Sequence, residues 1–195
     1  MLLHAPGGAA ETIRRSSAPA VAIRFTGTRL ATSRSTELLR RSGMNSIEEK
    51  SAQRELDESA IRRQVDQIVD GIRTRDLDVL RQVYATDVVS FDVEPPLQHV
   101  GVEAKLANWA KVFTFLADPA YEVRDLRLAV DTEIAFGHCF GRVSGTLPDG
   151  TATDGMWVRA TFCFRKVDGR WLVVHDQASV PFDIRSGRGV TDLEP

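Results

Sequence analysis

Two strand-like runs near the carboxyl end of the chain, residues 156–166 and 170–180, carry polar side chains among valine, phenylalanine and leucine. The polar and amphipathic residues in these runs are Trp157, Arg159, Thr161, His175, Asp176 and Gln177. A strand that only built a core would not need charge at such positions, because an unpaired buried charge costs several kcal/mol. These groups therefore either face water or line a pocket that binds a ligand.

His175 and Asp176 cannot both face such a pocket, because successive side chains of a strand point to opposite faces of the sheet. If His175 points inward, the pocket suits a polar or anionic ligand. In that case its lining also includes Trp157, Arg159 and Thr161. If Asp176 points inward, His175 and Gln177 lie on the outer face of the sheet. The Asp168-Gly169 turn between the two runs leaves both alternatives open, since a bulge at the glycine would shift the register by one residue.

The elements that must position these residues form an α+β pattern. Apolar residues at helical spacing predict a helix from Asp57, with its stripe between Ile61 and Ile72. Asp76 is a suitable N-cap for a short second helix, and Val102–Leu116 reads as a third. Strands are predicted at Val88–Val93, Glu122–Val130, Glu133–Leu147, Thr151–Lys166 and Arg170–Val180. The last four have short connections and must be antiparallel, which places the helices on one face of the sheet.

The amino-terminal part of the chain differs in composition from the rest. Residues 1–43 contain seven arginines and two glutamates, whereas the whole chain has a net charge of −2. Such a segment cannot bury enough apolar surface to fold alone, so we expect residues 1–50 to be disordered. It could be an organellar transit peptide, a basic arm for nucleic acid, or an extension upstream of a domain that begins at Met44, which we favour. The domain is expected to span residues 51–185, followed by a flexible tail at 186–195.

The order of two helices, strand, helix and four-stranded meander resembles the NTF2-like cone, and within it the SnoaL-like and ketosteroid-isomerase-like proteins. The resemblance covers about residues 55–183. It rests on the segment from Tyr84-Ala85 to Asp92, on Gly101 before the third helix, and on the Asp168-Gly169-Arg-Trp hairpin that leads to His175. It implies helices packed on a curved, antiparallel or mixed sheet that encloses a pocket.

The resemblance also implies site residues. Asp92 stands where the isomerases place the carboxylate that shuttles a proton; the simpler alternative is that it caps the end of a strand. Asp176 stands where the polyketide cyclases keep a base; the simpler alternative is that it pairs with an arginine on the neighbouring strand. The oxyanion-hole tyrosine of the isomerases would fall at Ile68, and their protonated aspartate near Thr161, so steroid isomerisation is not expected. The remaining candidates are His175 as a catalytic residue and, as ligand-binding residues, Trp109, Phe113, His138, Trp157, Arg159 and Thr161.

The expected function is binding of a small, mostly apolar carbonyl-type ligand in a cone pocket. Carboxylate-mediated proton transfer of isomerase, cyclase or dehydratase type would follow, and the alternative is a non-catalytic ligand-binding or association module. No metal or other cofactor is expected, because His99, His138 and His175 form no close-spaced ligand motif. With two cysteines and no long apolar run, we expect a cytoplasmic protein without membrane or nucleic-acid partners that forms a homodimer through the outer sheet face.

Overall fold

The computed structural model describes the backbone from residue 32 to residue 195, and the side chains in that range except those of residues 32–39 and 42. The chain divides into two units, Met1–Gly43 and Met44–Pro195. Of the first unit only the opening part of a helix is described, and the predictions for residues 1–31 lie outside the described residues. That helix begins at Thr32, so the domain boundary that we predicted near residue 50 falls inside it.

Three helices and eight strands make up the described chain. In chain order they are α1 (Thr32–Thr74), α2 (Leu77–Val83), β1 (Tyr84–Phe91), β2 (His99–Val100), α3 (Val102–Phe115), β3 (Ala117–Val130), β4 (Ile134–Thr146), β5 (Met156–Val167), β6 (Arg170–Ser179), β7 (Phe182–Asp183) and β8 (Arg188–Gly189). Six strands form one sheet in the order β2-β1-β6-β5-β4-β3, in which β1 runs parallel to β6 and every other pair is antiparallel. The helices pack on this curved, mixed sheet, which confirms the predicted α+β cone.

Local sequence signals account for most of the helix and strand boundaries. The apolar stripe of α1 is buried, with Ile61 and Ile72 at 0% exposure. Asp76 caps α2 by accepting hydrogen bonds from the backbone N–H groups of Asp78 and Val79. β1 begins at Tyr84, earlier than predicted, and the two-residue strand β2 was not predicted because it is too short to show a period. Among the described residues, no helix combines the length and apolar character needed to cross a membrane.

The hairpin of β5 and β6, with its turn and one register shift, determines which side chains point into the cone. Asp168 and Gly169 both have positive φ angles, 49° and 76°, as a tight hairpin requires. The pairing then shifts between Cys163 and Phe164, so that Phe162 lies opposite Asp176. Phe162 and Asp176 are both buried, at 4% and 7% exposure. The bulge lies inside β6, where Val174 is the extra residue, rather than at the glycine, and it brings Asp176 to the inner face.

A buried polar cluster, which we call the Asp57 cluster, joins α1 to the hairpin. One carboxylate oxygen of Asp57 accepts a hydrogen bond from Trp171 Nε1 at 2.9 Å and lies 2.7 Å from Lys166 Nζ. The other oxygen accepts a hydrogen bond from Gln53 at 3.2 Å. Burial alone would raise the pKa of Asp57, but the hydrogen bonds from Lys166, Trp171 and Gln53 outweigh it and hold that pKa below its usual range.

Replacing Asp57 with asparagine is expected to lower the free energy of unfolding by about 1.5–3 kcal/mol at neutral pH. The reason is that the side chain loses its negative charge and one of the two oxygens that accept hydrogen bonds from Lys166, Trp171 and Gln53. The pKa of Asp57 is lower in the folded protein than in the unfolded chain. The contribution of its carboxylate to the free energy of unfolding is therefore complete above the pKa of the unfolded chain, and it is lost as the pH falls through the pKa of the folded protein. The difference between the two proteins should therefore shrink as the pH is lowered from about 5 to about 2. Urea unfolding over that range measures it, with Asp66→Asn, an exposed aspartate of α1, as the control. A difference that does not change with pH would contradict the assignment.

Candidate functional site

A lysine lies in the apolar face of α3. Lys105 falls in one helical stripe with Val102, Leu106 and Phe113, and its exposure is only 4%. Its Nζ donates a hydrogen bond to Ser90 Oγ at 2.9 Å. A buried ammonium group is costly unless it is paired, so the partners of Lys105 define the site.

Two carboxylates surround this ammonium group. Lys105 Nζ lies 2.9 Å from Oδ2 of Asp176 and 3.7 Å from Oδ2 of Asp92. Burial alone would lower the pKa of Lys105, but the carboxylates of Asp176 and Asp92 raise it well above its usual range. Lys105 is therefore a fixed positive charge at neutral pH, and its amine is not available as a nucleophile.

The two aspartates differ in how their oxygens are used. Asp92, directly after β1, accepts a hydrogen bond from the backbone N–H of Val93 at 2.8 Å and one from Asn108 Nδ2 at 2.9 Å, each on a different oxygen. Asp176 uses Oδ2 for Lys105, while its buried Oδ1 has no hydrogen-bond partner among the described residues. Buried polar atoms without a partner are rare and costly, and they often mark a functional position.

An inner cavity of about 70 Å³ lies against this cluster. The polar side chains of its lining are those of Tyr84, Asp92, Lys105, Trp109, Tyr121 and Asp176, and most of the remainder is apolar. Burial is the main cause that raises the pKa values of Tyr84 and Tyr121 well above their usual range. Both phenols are therefore neutral, and each can donate a hydrogen bond to an oxygen atom in the cavity.

A wider outer groove of about 620 Å³ adjoins the inner cavity. The two share the lining residues Asp92, Val93, Trp109, Val143 and Met156. The groove is bounded by α3, by the segment after β1 and by residues 153–156, which lead into β5. The arrangement is thus a small cavity with one charged cluster in a largely apolar wall, beside a larger groove that is also mainly apolar.

Comparison with known proteins identifies the family. The model of the SnoaL-like domain family matches residues 61–183, well over half of the chain. The chain belongs to the SnoaL-like domain family. A comparison with curated proteins gives no match.

Solved structures confirm that the SnoaL-like domain has the NTF2-like fold. An NTF2-like protein of unknown function from Pseudomonas putida superposes with a TM-score of 0.65 at 28% identity, over 72% of this chain and 97% of that one. A proposed dehydratase of the NTF2-like family from Streptomyces avermitilis gives 0.59 at 16% identity, over 65% and 97%. A proposed calcium/calmodulin dependent protein kinase II association domain from Xanthomonas campestris gives 0.56 at 18%, over 66% and 88%.

The structure brings only part of the predicted site together. Asp92, Trp109 and Asp176 line the inner cavity of the SnoaL-like domain. Phe113 is buried in the hydrophobic core and stacks on Trp109, with 6.1 Å between the ring centroids.

The other predicted residues lie on the outer sheet face, the one opposite the cavity. They are His138, Trp157, Arg159, Thr161 and His175, and our expectation that they line the pocket is corrected. The reason is alternation: with Phe162 and Asp176 pointing inward, their neighbours along each strand must point outward. His175 Nδ1 lies 2.7 Å from the carbonyl oxygen of Val89, and Arg159 donates a hydrogen bond to the carbonyl oxygen of Val180. Of the two alternatives for the last strand, the structure has the one in which Asp176 points inward and His175 outward.

Residues that the sequence analysis missed complete the site. They are Tyr84, Lys105, Asn108 and Tyr121. The sequence did contain a signal for Lys105, because this lysine occupies the apolar stripe of α3 rather than its polar side.

In the described part of the chain, no three His, Cys, Asp or Glu side chains are grouped so as to hold a metal ion. Both cysteines are free, and burial raises the pKa of Cys139 to about 11, so that thiol stays protonated.

Proposed function

We propose that this SnoaL-like domain catalyses proton transfer next to the carbonyl group of a small, mostly apolar molecule, with Asp176 as the base. The observation that carries the proposal is the buried, unpartnered Oδ1 of Asp176, a residue that lines the inner cavity and pairs through Oδ2 with the charged Lys105. A base must have a free lone pair within reach of the proton that it removes. Keto–enol isomerisation, aldol-type cyclisation and elimination of water from a β-hydroxy carbonyl compound can all begin with this step.

Asp92, which the sequence analysis placed first, is better suited to positioning than to proton removal. Both of its oxygens already accept hydrogen bonds, from Val93 and from Asn108. Its position 3.7 Å from Lys105 helps to hold the ammonium group in place. We therefore assign Asp92 as a positioning residue and Asp176 as the catalytic one.

Lys105 and the two tyrosines supply the electrostatic stabilisation that the sequence analysis could not find at Ile68 and Thr161. When Asp176 Oδ1 takes a proton from the carbon next to the carbonyl group, the electron pair of that C–H bond moves to the carbonyl oxygen. The negative charge passes from Asp176 to an enolate while the positive charge of Lys105 stays in place. Preorganised charge and neutral O–H donors of this kind usually make the largest contribution to catalysis of such a step.

Hydrogen–deuterium exchange tests the proposal without knowledge of the natural substrate. Uncharged linear and cyclic ketones are incubated with the protein in D₂O, and loss of the proton signal next to the carbonyl group is followed by NMR. Exchange faster than in buffer is expected for ketones that bind, and it should stop in the heat-unfolded protein. Saturable binding with no faster exchange would favour the alternative, a non-catalytic ligand-binding module.

We further propose that the domain forms a homodimer through the outer sheet face. Phe91, Ile134 and Phe136 are large apolar residues of this face that are 38%, 66% and 55% exposed. Exposed apolar residues on one face of a sheet are a common feature of protein–protein interfaces. A cytoplasmic location remains a prediction from the cysteine content.

Replacing Phe136 with aspartate is expected to weaken self-association by roughly 30-fold, the effect of removing a hot-spot residue of about 2 kcal/mol. The cause is a charge placed in an apolar interface. Size-exclusion chromatography with light scattering at several concentrations measures it. Leu97→Asp is the matched control, because Leu97 is 95% exposed in the loop between β1 and β2. An unmodified protein that is monomeric at high concentration would contradict the dimer.

A further inference from the structure

The inner cavity is too small to hold a whole substrate. Its volume of about 70 Å³ is roughly half that of a cavity that binds benzene, about 150 Å³. It can hold a carbonyl group with its neighbouring carbon atoms, or a few water molecules. The outer groove shares Asp92, Trp109 and Met156 with the inner cavity, so it is the adjoining space for the rest of a ligand that reaches Asp176.

The outer groove has the size and surface of a ligand site. Its volume of about 620 Å³ lies within the usual range for small-molecule sites, about 300–1,000 Å³. Val112, Phe115 and Leu116 of the end of α3 form one apolar side, and Met156 lies opposite. Phe115 is 62% exposed, so its ring is accessible to a ligand in the groove.

The charges around the two chambers limit what can bind. Four carboxylates, those of Asp92, Glu94, Asp154 and Asp176, face only two ammonium groups, those of Lys105 and Lys111. Lys105 is already paired with Asp176. A ligand carboxylate or phosphate would meet like charge along the whole path, so anionic compounds are disfavoured.

We propose that the outer groove binds the apolar chain or ring system of an uncharged, elongated carbonyl compound, whose carbonyl end enters the inner cavity. This inference rests on the proposed function for the position of the carbonyl group, and it adds the substrate class. Trp109 and Met156 form the boundary between the polar and apolar parts of the ligand.

A homologous series of ligands tests the proposal by isothermal titration calorimetry. The dissociation constants of 2-hexanone, 2-octanone and 2-decanone are compared with that of decanoate. Affinity should rise by about fourfold for each added methylene group that enters the groove. Decanoate should bind at least about tenfold more weakly than 2-decanone because of like-charge repulsion. Equal affinities along the ketone series, no saturable binding by any ketone, or decanoate binding as tightly as 2-decanone would overturn the proposal.

Two variants locate the effect. Phe115→Glu should remove most of the dependence on chain length, whereas Thr114→Glu places the same charge on the neighbouring exposed residue outside the groove and should leave it unchanged. Loss of the length dependence in both variants, or in neither, would overturn the assignment. The titrations and the exchange measurement, taken together, separate the groove proposal from the proposed reaction. Length dependence that persists without any ketone exchange by the unmodified protein would remove the proposed reaction and leave the groove standing. Ketone exchange without any dependence of affinity on chain length would leave the proposed reaction standing and remove the proposal for the groove.

Discussion

Replacing Lys105 with methionine is expected to destabilise the domain by about 3–5 kcal/mol, the usual cost of removing one partner from a buried ion pair. Methionine fills a similar volume, so the effect comes from charge rather than from a cavity. Without the ammonium group, Asp176 is a buried carboxylate whose Oδ2 loses its partner and whose Oδ1 never had one. Asp92 loses a neighbouring positive charge at 3.7 Å. Urea unfolding followed by circular dichroism measures the change.

Two further variants show whether the loss comes from the unpaired carboxylate. Lys111→Met, at an exposed position of the same helix, should change the free energy of unfolding by less than about 0.5 kcal/mol. The double variant Lys105→Met/Asp176→Asn should recover part of the loss, because the charge that was left unpaired is also removed. A single variant as stable as the unmodified protein would show that Lys105 is not paired in the buried site.

The fold was predictable because its signals are local. The stripe from Ile61 to Ile72 has a helical period, and Asp168-Gly169 is a turn dipeptide whose two positive φ angles the structure confirms. The parallel pairing of β1 with β6 was not predictable in the same way. It joins residues more than 80 positions apart, such as Val89 and His175, and no short pattern encodes it.

The site was predictable only in part, for two physical reasons. The face on which Asp176 lies depends on the register shift between Cys163 and Phe164, and a one-residue shift reverses every side chain beyond it. Lys105 was missed because a lysine on a helix is normally solvated, and its burial depends on carboxylates contributed by the end of β1 and by β6. Asp92 and Asp176 were both found by resemblance, but their relative roles depend on which oxygens are already bonded.

Replacing Asp176 with asparagine is expected to slow ketone exchange by about 10²–10⁴-fold, the contribution typical of a positioned general base. Asparagine keeps the shape of the side chain and an oxygen for Lys105, but its amide cannot take the proton. Asp92→Asn should slow exchange less, because Asp92 is assigned to hold Lys105 and Asn108 rather than to touch the reacting carbon. Unfolding curves for both variants are needed beside the rates, so that a loss of folded protein is not counted as a loss of catalysis. If Asp92→Asn abolishes exchange while Asp176→Asn retains it, the base is Asp92, and the free oxygen of Asp176 needs another explanation.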